Sequence, residues 1–226
     1  MKKIVIPILI VLILGSVAVW YFAIRDENLK VSNKNIDKSK TDQSIQEKST
    51  ADGNWKIKQQ SDVFAGYEIE EIFAGNTTKK TASGKSKAVT GSFTISGSTL
   101  SDTRVTLDTT KLESDSSRRD SEMQTSGLET DAFPEAIFKQ TSPASIVQDI
   151  IKNKEMTINV EGDLTLHGET NNIVIALDAI WDGKTITVSG ELEISLADYK
   201  ILPPDNGFTK VDDSGKLKLQ LLFVPA

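Results

Sequence analysis

Residues 185–196 read TITVSGELEISL, and the alternation of apolar and polar side chains in this stretch decides the fold class. Ile186, Val188, Leu192, Ile194 and Leu196 occupy every second position, with a glycine at the remaining one. Successive side chains of a strand point to opposite faces, so the run predicts a strand with one apolar and one polar face. Such strands are typical of antiparallel sheets, in which one face can meet water.

The same period of two recurs through the chain from Trp55 onward. It predicts about eight strands, the others lying within residues 55–69, 93–95, 105–109, 156–166, 173–177 and 217–223. Turns rich in Gly, Asn, Asp and Ser separate these runs. An all-β body of this size forms a closed barrel or a sandwich. We favour the barrel because residues 185–196 would otherwise form a long exposed edge, although the period alone leaves both open.

Two stretches interrupt the alternation and predict short helical insertions. Residues 114–131 are polar, and we expect a loop with one or two helical turns there. In residues 142–154, a Ser-Pro pair precedes apolar residues at helical spacing, which predicts a short helix.

An apolar N-terminal run, residues 4–24, contains no charged residue and would reach roughly 31 Å as a helix, about the thickness of a bilayer's hydrocarbon core. We therefore expect residues 1–25 to be a signal-anchor, a transmembrane helix that attaches the protein to the membrane. Lys2 and Lys3 predict a cytoplasmic N-terminus and an extracytoplasmic C-terminal domain, periplasmic or extracellular. The alternative is a signal peptide cleaved near Ala18, with secretion of the rest.

Residues 26–53 mix both charges with polar residues and contain no aromatic residue. Such a composition buries too little apolar surface to order itself, and it predicts a flexible polar linker spanning roughly 30 Å. Residues 54–226 then form the barrel domain.

The composition also narrows the possible functions. The chain has a net charge of -6, no Cys and one His, so we expect no nucleic-acid partner, no metal and no cofactor. No nucleophile-and-base motif occurs, and we expect a protein that is not an enzyme. His167 precedes a glycine at a turn, and we interpret it as a structural residue.

The order of several short motifs along the chain indicates a resemblance to a known family. Residues 105–138 read VTLDTTKLESDSSRRDSEMQTSGLETDAFPEAIF, with an Arg-Asp pair at Arg119 and Asp120 and a Phe-Pro pair at Phe133. Residues 161–168 read EGDLTLHG, and VTGSF begins at Val89. In this order the motifs resemble the YceI family of lipocalin-like barrels over residues 55–225. A His-Ser pair common in that family is replaced here by Gln60-Ser61.

The resemblance implies an eight-stranded antiparallel barrel with an elongated apolar pore. Such a pore would hold a long-chain isoprenoid or another amphiphilic lipid, for storage, transfer or sequestration. The inner registers predict the pore lining as Val105, Leu107, Phe133, Phe138, Ile158, Val160, Leu164, Val188, Leu192, Ile194, Leu219 and Leu221.

Arg119 and Asp120 are candidates for contact with the lipid head group, because a guanidinium binds anionic or planar oxygens. The alternative is structural: Asp120 caps a helical turn and Arg119 pins the loop to a strand. A second hypothesis for the whole domain is a solid barrel without lipid, whose loops at residues 114–131 and 203–212 bind a protein partner.

Overall fold

The structure, a computed structural model, describes residues 29–38, 45–73, 78–147, 149–205, 207 and 209–226. Within them, one α-helix, α1, spans Ser117–Glu122 and continues as a π-helical turn at Met123–Gly127, while 3₁₀ turns occur at Asn33–Asn35, Thr109–Lys111 and Ala197–Tyr199. The described strands are β1 Gly53–Ile57, β2 Phe64–Phe73, β3 Lys80–Ser86, β4 Val89–Ser96, β5 Thr99–Asp108, β6 Glu113–Ser114, β7 Glu135–Gln140, β8 Ala144–Ser145, β9 Glu155–Leu166, β10 Glu169–Trp181, β11 Ile186–Ser195 and β12 Thr209–Pro225.

The strands close into a barrel. Antiparallel neighbours run in the order β1-β4-β5-β7-β9-β10-β11-β12, and the ring closes where Trp55 of β1 pairs with Pro225 of β12. Before this closure, residues 209–220 of β12 pair with β2, which pairs in turn with β3. The predicted all-β, eight-stranded antiparallel barrel is therefore confirmed, and the sandwich alternative is wrong.

The register follows the alternation read from the sequence. Along the β11–β12 ladder, Ile186 lies opposite Phe223, Val188 opposite Leu221 and Leu192 opposite Leu217. These pairs meet on the inner face, since cross-strand neighbours on one face pack together. The apolar positions of residues 185–196 thus face the barrel interior.

The outer face of β11 is less exposed to solvent than the alternation predicts. Thr185, Thr187 and Ser189 point outward, yet all three are buried. The 3₁₀ turn Asn33–Asn35 contacts this part of the wall, at β10 and β11. The chain that precedes the barrel therefore covers a polar strip of its outer surface.

The described parts of the expected linker are attached to the barrel. Lys218 Nζ donates to the Leu29 carbonyl at 2.8 Å, and the side chain of Asn33, itself buried, donates to the Asp178 carbonyl at 3.0 Å. Ile36 is 5% exposed and belongs to the main apolar core. Over residues 29–38 the segment differs from the free tether that its composition predicts, because its few apolar residues find partners only on the folded wall. The domain boundaries stay a prediction.

The prediction of a helix in residues 142–154 is wrong for the described part of that stretch. Ala144 instead pairs with Leu100 of β5, and the amide of Ile146 donates to the Ser98 carbonyl at 2.8 Å. Extended backbone lets this segment add to β5 while Ile146 turns inward, which a helix at this place could not do. The helical turns expected in residues 114–131 are present as α1 and the turn that follows it.

The predicted membrane-spanning run, residues 4–24, lies outside the described residues. Among the residues that the structure describes, no helix is long and apolar enough to span a bilayer.

Candidate functional site

An elongated cavity of about 760 Å³ runs through the barrel. At one end its walls include Ala51, Ile146 and Trp181, and at the other they include Met123 and Leu128, beside α1. Sites for small organic molecules occupy about 300–1,000 Å³, so the space suits one such ligand.

The two ends differ in exposure. Ala51, Leu100, Ile146 and Trp181 are each at most 6% exposed, so buried side chains close the first end, called the closed end below. The second end, beside α1, is bordered by half-exposed residues such as Met123 and Leu128. We call it the mouth.

Eleven of the twelve predicted lining residues border the cavity; the structure places there Val105, Leu107, Phe138, Ile158, Val160, Leu164, Val188, Leu192, Ile194, Leu219 and Leu221. They come from β5, β7, β9, β11 and β12, which present their inward registers to one space. That these side chains contact a ligand stays a prediction.

Phe133 is the exception and does not border the cavity. Its ring lies edge-on to that of His167, with the centroids 4.8 Å apart. The neighbouring Gly168 has φ +76°, and a Cβ at this position would lie 2.5 Å from the Phe133 ring. The absence of a side chain there makes room for Phe133 at the β9–β10 turn. In the structure, Phe133 therefore lies outside the lining of this cavity.

His167 has a structural environment at this turn. Its Nδ1 lies 3.0 Å from the Tyr199 carbonyl, and its Nε2 lies 2.8 Å from a carboxylate oxygen of Glu129. Both ring nitrogens are thus engaged, and the residue links the β9–β10 turn to the loops beside it. Among the described residues, no group of three or more His, Cys, Asp or Glu side chains is arranged to hold a metal ion.

Arg119 is the polar centre of the mouth. Its Nη2 donates to Glu71 Oε1 of β2 at 2.9 Å, and its Nη1 donates to Asp115 and to the Ser114 hydroxyl. Asp120 accepts from the Ser114 amide at 2.9 Å and from the Ser114 hydroxyl at 2.6 Å. Arg119 therefore pins α1 to the barrel, as the structural alternative expects.

The expected capping role of Asp120 belongs to another residue. The Ser116 side chain accepts from the Arg119 amide at the start of α1, whereas Asp120 fastens β6. Arg119 borders the cavity, and its role in head-group contact, like that of Asp120, stays a prediction.

Burial and charge fix the protonation states at the mouth. Burial alone would lower the pKa of Arg119, but the Glu71 carboxylate and the hydrogen bond to Asp115 outweigh it, and the net pKa is raised. Burial raises the pKa of Tyr67 to about 12, against a smaller lowering by Arg119. At neutral pH Arg119 is therefore charged and Tyr67 keeps its proton.

Sequence reasoning missed Tyr67 and Glu71, which line the mouth from β2. A signal was available, because the odd-numbered apolar register of Val63, Ala65 and Ile69 continues to a carboxylate at Glu71. A charged residue inside an apolar register marks either the end of the strand or a buried ion pair. The second applies here, since the Glu71 side chain is 7% exposed and bound to Arg119.

Comparison with known proteins identifies the domain. A YceI-like domain profile matches residues 55–223. A UPF0312 protein of Vibrio parahaemolyticus is 28% identical over 127 residues, which is 52% of this chain and 64% of that protein. Protein YceI of Shigella flexneri is 29% identical over 104 residues, 43% of this chain and 50% of that protein. The chain thus spans between half and just under two thirds of these curated relatives.

Solved structures show the same fold at low identity. A polyisoprenoid binding domain from Saccharophagus degradans, implicated in plant cell wall breakdown, superposes with a TM-score of 0.57 at 14% identity, covering 76% of this chain and 98% of that one. BcnA of Burkholderia cenocepacia gives a TM-score of 0.54 at 15% identity, covering 70% of this chain and 95% of that one. The motifs, the closed barrel and the matched profile agree, and the chain belongs to the YceI-like family.

Proposed function

We propose that the protein binds lipid: it holds an isoprenoid or a similar amphiphilic chain inside the barrel, for storage, transfer or sequestration. We further propose that it is tethered to a membrane through residues 4–24, with the barrel on the extracytoplasmic side. Binding, and not catalysis, is the activity that this site supports.

The observation that carries the proposal is the cavity of about 760 Å³ and the character of its walls. From the closed end upward, most of its lining is alkyl or aromatic. The charged residues that border it are Glu71, Asp115, Arg118, Arg119 and Glu122 at the mouth, and Glu68, Lys216 and Lys218 on β2 and β12. Transfer of an apolar chain from water into such a space is favourable in proportion to the area that it buries. A ligand with a long apolar part and a polar end matches this division.

The relatives support the same ligand class. The neighbour from Saccharophagus degradans is described as a polyisoprenoid binding domain. A barrel of eight strands is wide enough for one slender ligand, and a polyisoprenoid is of that shape. We take the ligand class from this likeness and the space for it from the cavity.

The alternative of a solid barrel with a protein partner is disfavoured. It expects an interior filled with side chains, as in most small proteins, where voids larger than a water molecule are few. The cavity here is much larger than such voids.

Purification of the full chain from membranes in a mild detergent, followed by mass spectrometry of extracted compounds, tests the proposal. We expect one class of long apolar compound in near-equimolar amount. Absence of any such compound, together with failure of delipidated protein to take up an added isoprenoid, would overturn it.

A further inference from the structure

We infer that His167 is a pH-sensitive clamp on the cavity mouth: its doubly protonated ring holds two mouth loops together, and loss of one proton releases one loop and speeds the exchange of bound lipid. The inference rests on the proposed lipid binding and extends it from holding the ligand to regulating its exchange. His167 is the single histidine of the chain and lies at the β9–β10 turn.

The imidazole of His167 bridges two loops that border the cavity. Its Nδ1 lies 3.0 Å from the carbonyl oxygen of Tyr199, and its Nε2 lies 2.8 Å from a carboxylate oxygen of Glu129. Leu128, the neighbour of Glu129 in the sequence, borders the cavity, and so does Ile201 in the loop that carries the carbonyl. The ring therefore joins the segment after α1 to the segment after β11 at the mouth.

Both partners of the ring accept hydrogen bonds. A backbone carbonyl is an acceptor only, and so is an ionised carboxylate. A neutral imidazole has one N–H group, whereas an imidazolium has two. Only the doubly protonated ring can therefore donate to Tyr199 and to Glu129 at the same time, and the contacts at its two nitrogens are those of an imidazolium.

Burial decides which bond remains when the ring loses a proton. Tyr199 is 2% exposed, so its carbonyl has little access to water and would be left without a donor. The Glu129 side chain is 52% exposed and can turn to water instead. The remaining proton therefore stays on Nδ1, and the bond to Glu129 is lost. The lone pair then exposed on Nε2 repels the carboxylate, which releases the loop that carries Leu128.

Backbone strain is concentrated at the same place. The described part of the chain has five non-glycine residues with positive φ, and three of them are Glu129 at +46°, His167 at +51° and Lys200 at +53°. Such conformations persist only where surrounding contacts hold them, and they cluster at functional sites. The His167 bond is one such contact for Glu129, beside the hydrogen bond from the Ala132 amide to the Glu129 carbonyl at 2.8 Å. Loss of the His167 bond lets a strained segment relax.

The charged groups on the elements packed around His167 are four carboxylates and one ammonium group. They are Glu129, Asp131, Glu169, Asp198 and Lys200. The ammonium group is already paired, since Lys200 Nζ lies 2.7 Å from Glu169 Oε1. The Phe133 ring, which lies edge-on to the imidazole, is uncharged. Carboxylates therefore outnumber cations around the ring, and the site is compatible with an imidazolium.

The protonation of the ring can be read directly, because the untagged chain has one histidine. The full chain in detergent, with its histidine labelled with ¹⁵N, is studied by NMR at about pH 5 and about pH 8, the two limits of the range in which histidines commonly titrate. We expect both ring nitrogens to carry a proton at the lower pH and Nδ1 alone at the higher pH. A ring that carries its proton on Nε2 at the higher pH would overturn the inference.

Exchange of a bound isoprenoid tests the effect on the mouth. Full chain loaded with geranylgeraniol is mixed with an excess of the deuterated alcohol, and native mass spectrometry follows the replacement at the same two pH values. We expect replacement to be about three- to tenfold faster at the higher pH, as for the loss of one charge-assisted hydrogen bond between partly exposed groups. Equal rates, or faster replacement at the lower pH, would overturn the inference and leave lipid binding intact.

A measurement without lipid keeps the clamp and the proposed function separate. If geranylgeraniol is not loaded at either pH, the proposed function fails. The protection factors of residues 128–134 in amide hydrogen exchange then test the clamp. They should fall at the higher pH, and unchanged protection would overturn the clamp itself.

Variants locate the cause of the pH dependence. In Glu129→Gln the amide oxygen can accept from the imidazolium and the amide nitrogen can donate to the neutral ring, so replacement should stay slow at both pH values. His167→Asn keeps a residue that tolerates positive φ but has no titrating ring, and replacement should be fast at both. Glu169→Gln removes a charge from the same turn, where Glu169 pairs with Lys200, and should keep the wild-type pH dependence. A pH dependence that survives in both Glu129→Gln and His167→Asn would contradict the inference.

Discussion

Replacement of Leu192 by tryptophan distinguishes a ligand cavity from a packed core. Leu192 lies on β11 opposite Leu217, and its side chain faces the cavity. In a filled core, added side-chain volume costs about 1–3 kcal/mol because neighbours must shift. Here about 760 Å³ of free space adjoins the residue, and the indole can enter it without displacing the opposite wall.

We therefore expect Leu192→Trp to lose less than about 1 kcal/mol of unfolding free energy. For a domain of this size, this corresponds to a fall in melting temperature of less than about 4 °C. The same indole would obstruct the cavity midway, so the lipid content should fall by most of its wild-type value. Thermal melting and lipid extraction on the same preparation give the two readouts.

The adjacent Glu193→Trp is the control, because Glu193 is not part of the cavity wall and pairs with Lys216 on the outer side of the ladder. It should keep its lipid. The reasoning would be refuted if Leu192→Trp lost about 3 kcal/mol or more, the cost of overpacking a filled core. Lipid content equal to that of the wild type in Leu192→Trp would refute it as well.

Three further predictions concern the mouth and the wall. Arg119→Met should lower the free energy of unfolding, measured by chemical denaturation, by about 1–3 kcal/mol, because Glu71 would lose its counter-charge and the pair is partly shielded from solvent. An unchanged free energy of unfolding would show that this ion pair does not hold α1 on the barrel. Ile36→Ala should lower the free energy of unfolding by about 2–4 kcal/mol if residues 29–38 are docked on the barrel. Val147→Ala, at an 85% exposed site, is the control and should leave it nearly unchanged. Equally small changes in the two variants would indicate that residues 29–38 are not attached to the barrel. Tyr67 should ionise near pH 12 in the native protein, because burial raises its pKa to about 12. Since the folded-state pKa of Tyr67 lies above that of the unfolded chain, its ionisation lowers the free energy of unfolding. The protein therefore keeps its full stability below about pH 10 and loses part of it as the pH rises toward 12. Tyrosinate absorbance lost in Tyr67→Phe identifies the step, and ionisation near pH 10 would contradict it.

The inner surface of the barrel was predictable because it depends on a local rule. Val188 and Leu192 face inward for the same reason that Thr187 and Glu191 do not, and neighbouring positions on one strand suffice to see it. Once the strands close into a ring, every apolar register must meet the same interior. This is why eleven lining residues could be named without coordinates.

The errors arise where local pattern and tertiary contact disagree. Ile146 and Ile150 have helical spacing, but the chain uses them to plug the barrel end, with Ala144 paired to β5. Phe133 precedes β7 in the sequence, but its ring packs at the β9–β10 turn, where Gly168 has no side chain to occupy the space.

Other features depend on contacts that no local window contains. The pairing of Glu71 with Arg119 joins residues 48 positions apart in the sequence. Leu29 and Ile36 are isolated apolar residues in a polar segment, and only the finished wall gives them a place to bury.

A crystal structure of the full chain, purified without removal of bound lipid, would test the central claim most directly. The account predicts continuous elongated density along the cavity, from Trp181 at the closed end to the mouth beside Arg119. Its polar end should lie near Tyr67. A cavity collapsed onto its own side chains, or one containing only water, would contradict the claim that this barrel holds a lipid.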